Sequence, residues 1–176
     1  MGSVFPIPRL GLVSDQDEGR KKMQEPLDND VLIVLGCPEV PVQQALALYC
    51  AHRFNTAGLN VTFAGNKAVL NLLRVSDPGK VYVKKMVELD RCIEELSTKK
   101  RKPGLCIVFA HSDAGITYAA TVRYLVEGRL VVLVFGREAE TLGGQLEIPC
   151  EIIVEKAVHN PGQPRRKLDE VFGWAA

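Results

Sequence analysis

From position 31 onward, short apolar runs alternate with longer stretches in which apolar residues recur every three or four positions. The runs at 31–35, 60–64, 105–109, 130–135 and 151–154 are strand-sized and dominated by apolar residues, as expected of strands covered on both faces. Between and after them the spacing predicts helices over 41–57, 67–73, 82–96 and 113–126, a weaker one from 137 to Gly143-Gly144, and a last one over 165–172. The first is the best delimited, with Pro41 near its opening position and Gly58 just past its end. In 82–96, Tyr82, Met86, Leu89, Ile93 and Leu96 stand three and four apart, which predicts one continuous amphipathic helix.

Strand and helix in alternation define an α/β class, and right-handed crossovers between parallel strands favour a doubly wound sheet with helices on both faces. The expected architecture is a three-layer α/β/α domain over 30–176. Its sheet is mostly parallel and five-stranded, in the flavodoxin-like order 2-1-3-4-5, with the reversal of strand order between the first and third strands. Ligands of such sheets bind outside the carboxyl ends of the strands flanking that reversal. Those ends carry Gly36-Cys37-Pro38-Glu39 and Ala110-His111-Ser112-Asp113. Residues 1–29, an apolar head containing two prolines followed by a charged stretch from Ser14 to Asp30, show neither period and are expected to be a flexible extension.

Composition narrows the classes of partner. With 176 residues, 47% hydrophobic and 24% charged, the chain suits one globular domain with a real core. Its 22 Lys plus Arg against 21 Asp plus Glu give a net charge of +1 and no electrostatic case for nucleic acid. No apolar run approaches the ~20 residues of a membrane span, and the N-terminal pattern lacks a basic leader, so a cytoplasmic protein is expected. Five cysteines, at 37, 50, 92, 106 and 150, include no CxxC pair and argue against both a disulfide framework and a zinc ribbon. Cys50, Cys92, Cys106 and Cys150 lie in or beside predicted elements, where free cysteine behaves as a small hydrophobe.

Cys37 is placed differently. It follows the first strand and precedes a helix, where backbone N–H groups and the helix dipole favour thiolate. The sequence allows a nucleophile, a redox sensor or a soft ligand there, and equally a small residue filling a tight turn before Pro38. Glu39 can bind a cation or act as a base, or merely complement the dipole of the helix it opens. Ser112 and Asp113 offer a hydroxyl and a carboxylate but also suit the N-terminal cap of the next helix, whereas His111 has no capping duty and can contact a ligand or move a proton. After the last strand, His159-Asn160-Pro161-Gly162 is held extended and leads to Arg165-Arg166, where an anion can be held at a helix start. That strand should stand roughly 10 Å from the third at about 4.8 Å per strand, so His159 meets Cys37 only if its loop folds back or another subunit supplies it.

Cys37, His111, Asp113 and His159 are residue types that bind zinc or iron, but no pair has a ligand spacing such as HxxxH, and no metal is assigned. A nucleophilic pair of Cys37 with His111 is a further arrangement the sequence leaves open. GxGxxG, GxxxxGK[ST] and GxSxG are missing from the chain, which leaves standard dinucleotide sites, P-loops and hydrolase elbows without support. DxHxxG is missing too, against the usual histidine-on cobalamin mode.

Three segments together carry a family resemblance: Val34-Leu35-Gly36-Cys37-Pro38-Glu39 with Pro41-Val42-Gln43, then Asn66 with Val75-Ser76-Asp77-Pro78, and finally His159-Asn160-Pro161. They resemble an uncharacterised domain-of-unknown-function family of small proteins from methanogenic archaea, over about Asp30 to the C-terminus. The resemblance implies an α/β/α fold and a biological setting, and no mechanism. By the family's pattern Cys37, Glu39, Asp113, His159 and Asn160 carry over, whereas His111 has no counterpart.

In that setting the expected function is an accessory or regulatory binding protein. It recognises a small ligand or an enzyme-bound cofactor at an edge built from Gly36, Cys37, Pro38, Glu39, Asn66, His111, Ser112, Asp113, His159 and Asn160. The cofactor is left unassigned. The resemblance points to a methanogenesis complex, such as one with a cobamide-dependent methyltransferase, as partner, and homo-oligomerisation is a further expectation. The alternative is a cysteine-dependent enzyme or redox protein in which Cys37 is the catalytic residue.

Overall fold

The computed structural model describes residues 29–174; the apolar head and nearly all of the charged stretch lie outside the described residues. The elements run β1 (Asp30–Val34), α1 (Val42–Thr56), β2 (Asn60–Gly65), α2 (Lys67–Ser76), β3 (Lys85–Glu88), α3 (Leu89–Ser97), β4 (Leu105–Ala110), α4 (Asp113–Leu125), β5 (Arg129–Phe135), α5 (Ala139–Gly143), β6 (Glu151–Glu155) and α6 (Gly162–Phe172). Every neighbouring pair of strands is parallel, and the order is β3-β2-β1-β4-β5-β6.

This corrects the expected sheet: among the described residues it has six strands, not five, and the order is not 2-1-3-4-5. The added strand is β3, which lies inside the stretch expected to be one helix over 82–96. Only its second half is helical, from Leu89, with Leu89, Cys92 and Leu96 buried. The four residues before it pair with Thr62–Gly65 of β2, and that pairing supplies backbone hydrogen bonds that an isolated helical turn would not surpass. Tyr82 and Met86 fall in register with the helical stripe by coincidence of spacing.

The alternation along each central strand divides the core into two layers. Val31, Ile33 and Leu35 point to one face with Ile107, Phe109, Leu133 and Phe135, and are covered by α1, α2 and α6. Leu32 and Val34 point to the other with Cys106, Val108, Val132 and Val134, beneath α3, α4 and α5. The first connections run away from β1 in one direction and the later ones in the other, so the reversal falls between β1 and β4.

α1 ends as the sequence suggests. Gly58 takes φ +80 while its N–H bonds to the Asn55 carbonyl and that of Leu59 to Phe54, closing the helix in a left-handed cap that favours glycine. The connection from α2 into β3 is organised by one carboxylate. Asp77, a buried side chain, accepts the backbone N–H groups of Val81 at 3.0 Å, Tyr82 at 2.8 Å and Val83 at 2.7 Å. Burial pushes its pKa up, but the three donors outweigh burial and hold it below the ordinary value. With the folded pKa below the unfolded one of about 3.9, Asp77 stabilises the fold fully above that pH and loses its contribution as pH falls through the folded value. Asp77→Asn should therefore unfold at lower denaturant than the native chain at pH 7, with the gap narrowing on acidification; a gap constant from pH 7 to 3 would refute this.

Candidate functional site

The carboxyl ends of β1 and β4 do meet. Leaving β1, Gly36 is held by the amide of Gln43 from α1: the Gly36 N–H donates to Gln43 Oε1 at 3.2 Å, and Gln43 Nε2 donates to the Gly36 carbonyl at 3.3 Å. Gln43 is almost fully buried, whereas Gly36 is half-buried, so the buried amide anchors a turn that is itself partly open to solvent. Leaving β4, His111 brings Nε2 to 2.7 Å from the carbonyl oxygen of Cys37. A carbonyl only accepts, so Nε2 carries the proton and Nδ1 is left for another partner. A Cβ on Gly36 would stand 3.3 Å from His111 Nε2 and 3.6 Å from the Phe109 carbonyl oxygen, which leaves little room between the two turns for a larger residue. The His111 ring also rests against Phe135, centroids 5.4 Å apart, at the end of β5.

The segment after β6 folds back across this edge. Gly136, just past β5, donates its N–H to the Ala157 carbonyl, and the Val42 N–H at the start of α1 donates to the Val158 carbonyl, both at 3.0 Å. Strand spacing alone would leave His159 far from Cys37, but the backbone beside it is tied to the helix that follows the Cys37 turn. His159 itself is exposed. The edge is thus built from four connections, after β1, β4, β5 and β6.

The expected site residues separate into those exposed at this edge and those with local structural duties. Cys37 and Glu39 are exposed, and Pro38 is half-buried. The turn 38–41 stands between Cys37 and the first residue of α1, Val42, so the thiol is not in the helix's first turn, where a dipole acts most strongly. Ser112 takes the cap position of α4 but its hydroxyl makes no cap hydrogen bond, and Asp113 is exposed in the first turn. Asn66 lies at the end of β2, and its Oδ1 accepts the Val69 N–H at 2.9 Å as the cap of α2. Asn160 Oδ1 accepts the Gly162 N–H at 2.9 Å and shapes the entry to α6. The expected anion site at Arg165-Arg166 is displaced, because α6 begins at Gly162 and Arg165 reaches along it to Asp169 at 3.0 Å.

Two residues that organise the edge are not among the expected site residues, Gly136 and Gln43, the latter noted only within the segment Pro41-Val42-Gln43 that carries the family resemblance. Gln43 had a readable signal: it is a polar residue on the stripe with Ala47, Cys50 and Phe54 that the helix buries. Gly136 had none beyond its composition, since its φ of +101 and its approach to His111 belong to the turn itself.

The other thiols are less exposed than Cys37. Burial pushes Cys92 up to about 11 and Cys106 up to about 12, and raises Cys50 and Cys150 as well, so all four are held as thiols at neutral pH. Among the described residues no three His, Cys, Asp or Glu side chains gather in a way that would hold a metal ion. A concave groove lined by Asp30, Glu95 and Lys99 to Lys102 lies at the opposite end of the strands, where Arg101 closes on Glu95 at 2.8 Å.

The model of a domain of unknown function, DUF1890, matches residues 32–171, the whole sheet but for the first residues of β1. The chain belongs to this family. It is similar to the uncharacterized protein MJ0452 of the methanogenic archaeon Methanocaldococcus jannaschii, 30% identical over an alignment of 149 positions that covers 81% of this chain and 96% of the relative. Among solved structures it is similar to the one described as the structure of MT0777, with a TM-score of 0.76 and 33% identity over 82% of this chain and 97% of that one. The DUF1890 match spans all four edge connections, and with them Gly36, Cys37, Gln43, His111 and His159.

Proposed function

We propose that the protein binds a small ligand, or a cofactor displayed by an enzyme, at the carboxyl edge of its sheet, in an accessory or regulatory role in methanogen metabolism. The observation that carries this reading is the bond from His111 Nε2 to the Cys37 carbonyl, which ties together the two turns flanking the reversal of strand order. A ligand seated there would meet the Cys37 thiol, the free Nδ1 of His111, and the Glu39 and Asp113 carboxylates, with His159 approaching from the segment after β6. The methanogen relative supports the metabolic setting. A cobamide-dependent methyltransferase fits that setting as the enzyme that displays the cofactor.

One observation favours a second reading. Cys37 is exposed, whereas Cys50, Cys92 and Cys106 are buried. That supports a cysteine-dependent enzyme or redox protein in which Cys37 attacks a substrate or is reversibly oxidised. The Nε2–H of His111 is taken up by the Cys37 carbonyl, so a proton leaving the sulfur would pass to Glu39 or to Nδ1 of His111.

Alkylation of Cys37 separates the readings. The full chain is treated with iodoacetamide alone and after incubation with the small-molecule fraction of methanogen cells, while native mass spectrometry follows any bound mass. For a binding protein, a retained ligand should slow modification of Cys37, and Cys37→Ser should still retain that mass. Unchanged alkylation with no added mass would overturn the reading. A thiol pKa near the ordinary value of about 8.5, with Cys37→Ser fully active, would remove the rival.

A further inference from the structure

Between Val40 and Val87 the chain carries one carboxylate, Asp77, against the cations Arg53, Lys67, Arg74, Lys80, Lys84 and Lys85. Asp77 is buried and turned inward onto the three backbone N–H groups already described, so this stretch offers solvent no other carboxylate. The end of α2 and the connection into β3 also expose apolar side chains: Val75 at 78% and Val81 at 61%, with Leu72 and Tyr82 partly exposed. The connection is braced, because Asp77 fixes residues 81–83 and Asn55 Nδ2 holds the Tyr82 carbonyl at 2.9 Å. It leads into the edge strand, whose Met86 and Val87 are half-buried and whose outer side pairs with no other strand among the described residues.

We propose that the β3 edge docks an extended acidic segment of a partner protein, which adds as a further strand, sets its carboxylates against Lys80, Lys84 and Lys85, and covers Val81, Met86 and Val87. An open strand edge presents backbone N–H and C=O groups that another polypeptide backbone satisfies. A lipid surface would leave them unpaired. Nucleic acid would want stacking faces, and Tyr82, the aromatic residue here, already packs edge-on against His52. A second copy of this chain, added antiparallel about a two-fold axis, would match Lys85 with Glu88 but would bring no carboxylate to Lys80 or Lys84, which an acidic segment neutralises as well. Glu88 closes the basic stretch at the far end of β3 and places the carboxylates of the added strand toward Lys84 and Lys85. This surface is separate from the ligand edge and does not depend on it.

The test uses the full chain and a fluorescein-labelled peptide of alternating Glu and Val, with anisotropy as readout. Binding should weaken as salt rises, and the amide resonances of Lys85–Glu88 should move most. The double variant Lys84→Glu/Lys85→Glu should bind about tenfold more weakly and gain affinity for the matching Lys and Val peptide. Lys100→Glu/Lys102→Glu, at the opposite groove, should leave binding unchanged. Val81→Ser, at an exposed side chain, should weaken binding without lowering the unfolding midpoint. The proposal is overturned if the peptide does not bind, if its shifts map to β6, if the Lys84/Lys85 variant binds it as the native chain does, or if single-stranded DNA or phosphatidylserine vesicles compete equally well.

Discussion

Phe109→Ala is expected to remove about 3–5 kcal/mol of stability, the largest loss among the substitutions considered, against a total of about 5–15 kcal/mol for an ordinary domain. Phe109 is fully buried in β4 and packs edge-on against Phe135, ring centroids 6.1 Å apart. Its place between β1 and β5 leaves little freedom for neighbours to close the void, because both strands are fixed by ladders on either side. The cavity would open beneath His111, which follows Phe109 by two residues and leans on Phe135. Denaturant unfolding should show the lost midpoint with an unchanged slope, and Phe109→Leu should lose less. A Phe109→Ala chain within about 1 kcal/mol of the native one would mean that the centre of the sheet is not packed as described.

Gln43→Ala is expected to cost about 1–3 kcal/mol, because it empties a buried site and removes both hydrogen bonds that hold the half-buried Gly36 backbone. Gln43→Leu makes the decisive comparison. Leucine restores most of the volume but neither hydrogen bond, so it should be nearly as destabilising as alanine if polar pairing is what matters. The local consequence is as informative as the global one. With Gly36 released, the turn that carries Cys37 should exchange its amide protons faster and alkylate faster, whereas the amides of β5 should change little. Full recovery of stability by leucine would show that the amide acts as packing alone and that the turn is held by other contacts.

Both substitutions bear on how far this edge was legible beforehand. Near-continuous apolar runs at 31–35, 60–64, 105–109 and 130–135 identified all four central strands, because a strand covered on both faces has little room for polar residues along its length. Pro41 and Gly58 bracketed α1 for equally local reasons. The 82–96 stretch failed because an edge strand has a partner on one side alone. Lys85–Glu88 keeps exposed charged ends, shows no apolar run, and owes its conformation to pairing with β2. Missing that strand also cost the correct order of the sheet.

At the candidate site, the sequence by itself determined which residue types stand at the ends of β1 and β4, Cys37 and His111 among them, since the end of an apolar run fixes where a strand must stop. The tertiary structure alone decided their relations. It turned the His111 imidazole onto a backbone carbonyl, buried Gln43 against Gly36, committed Asn66 and Asn160 to capping, and carried the segment after β6 back to Val42. The physical reason is range: strand and helix propensities act over a few neighbouring residues, whereas these contacts join positions such as 37 and 111 or 42 and 158, whose distance is set only when the whole sheet has closed.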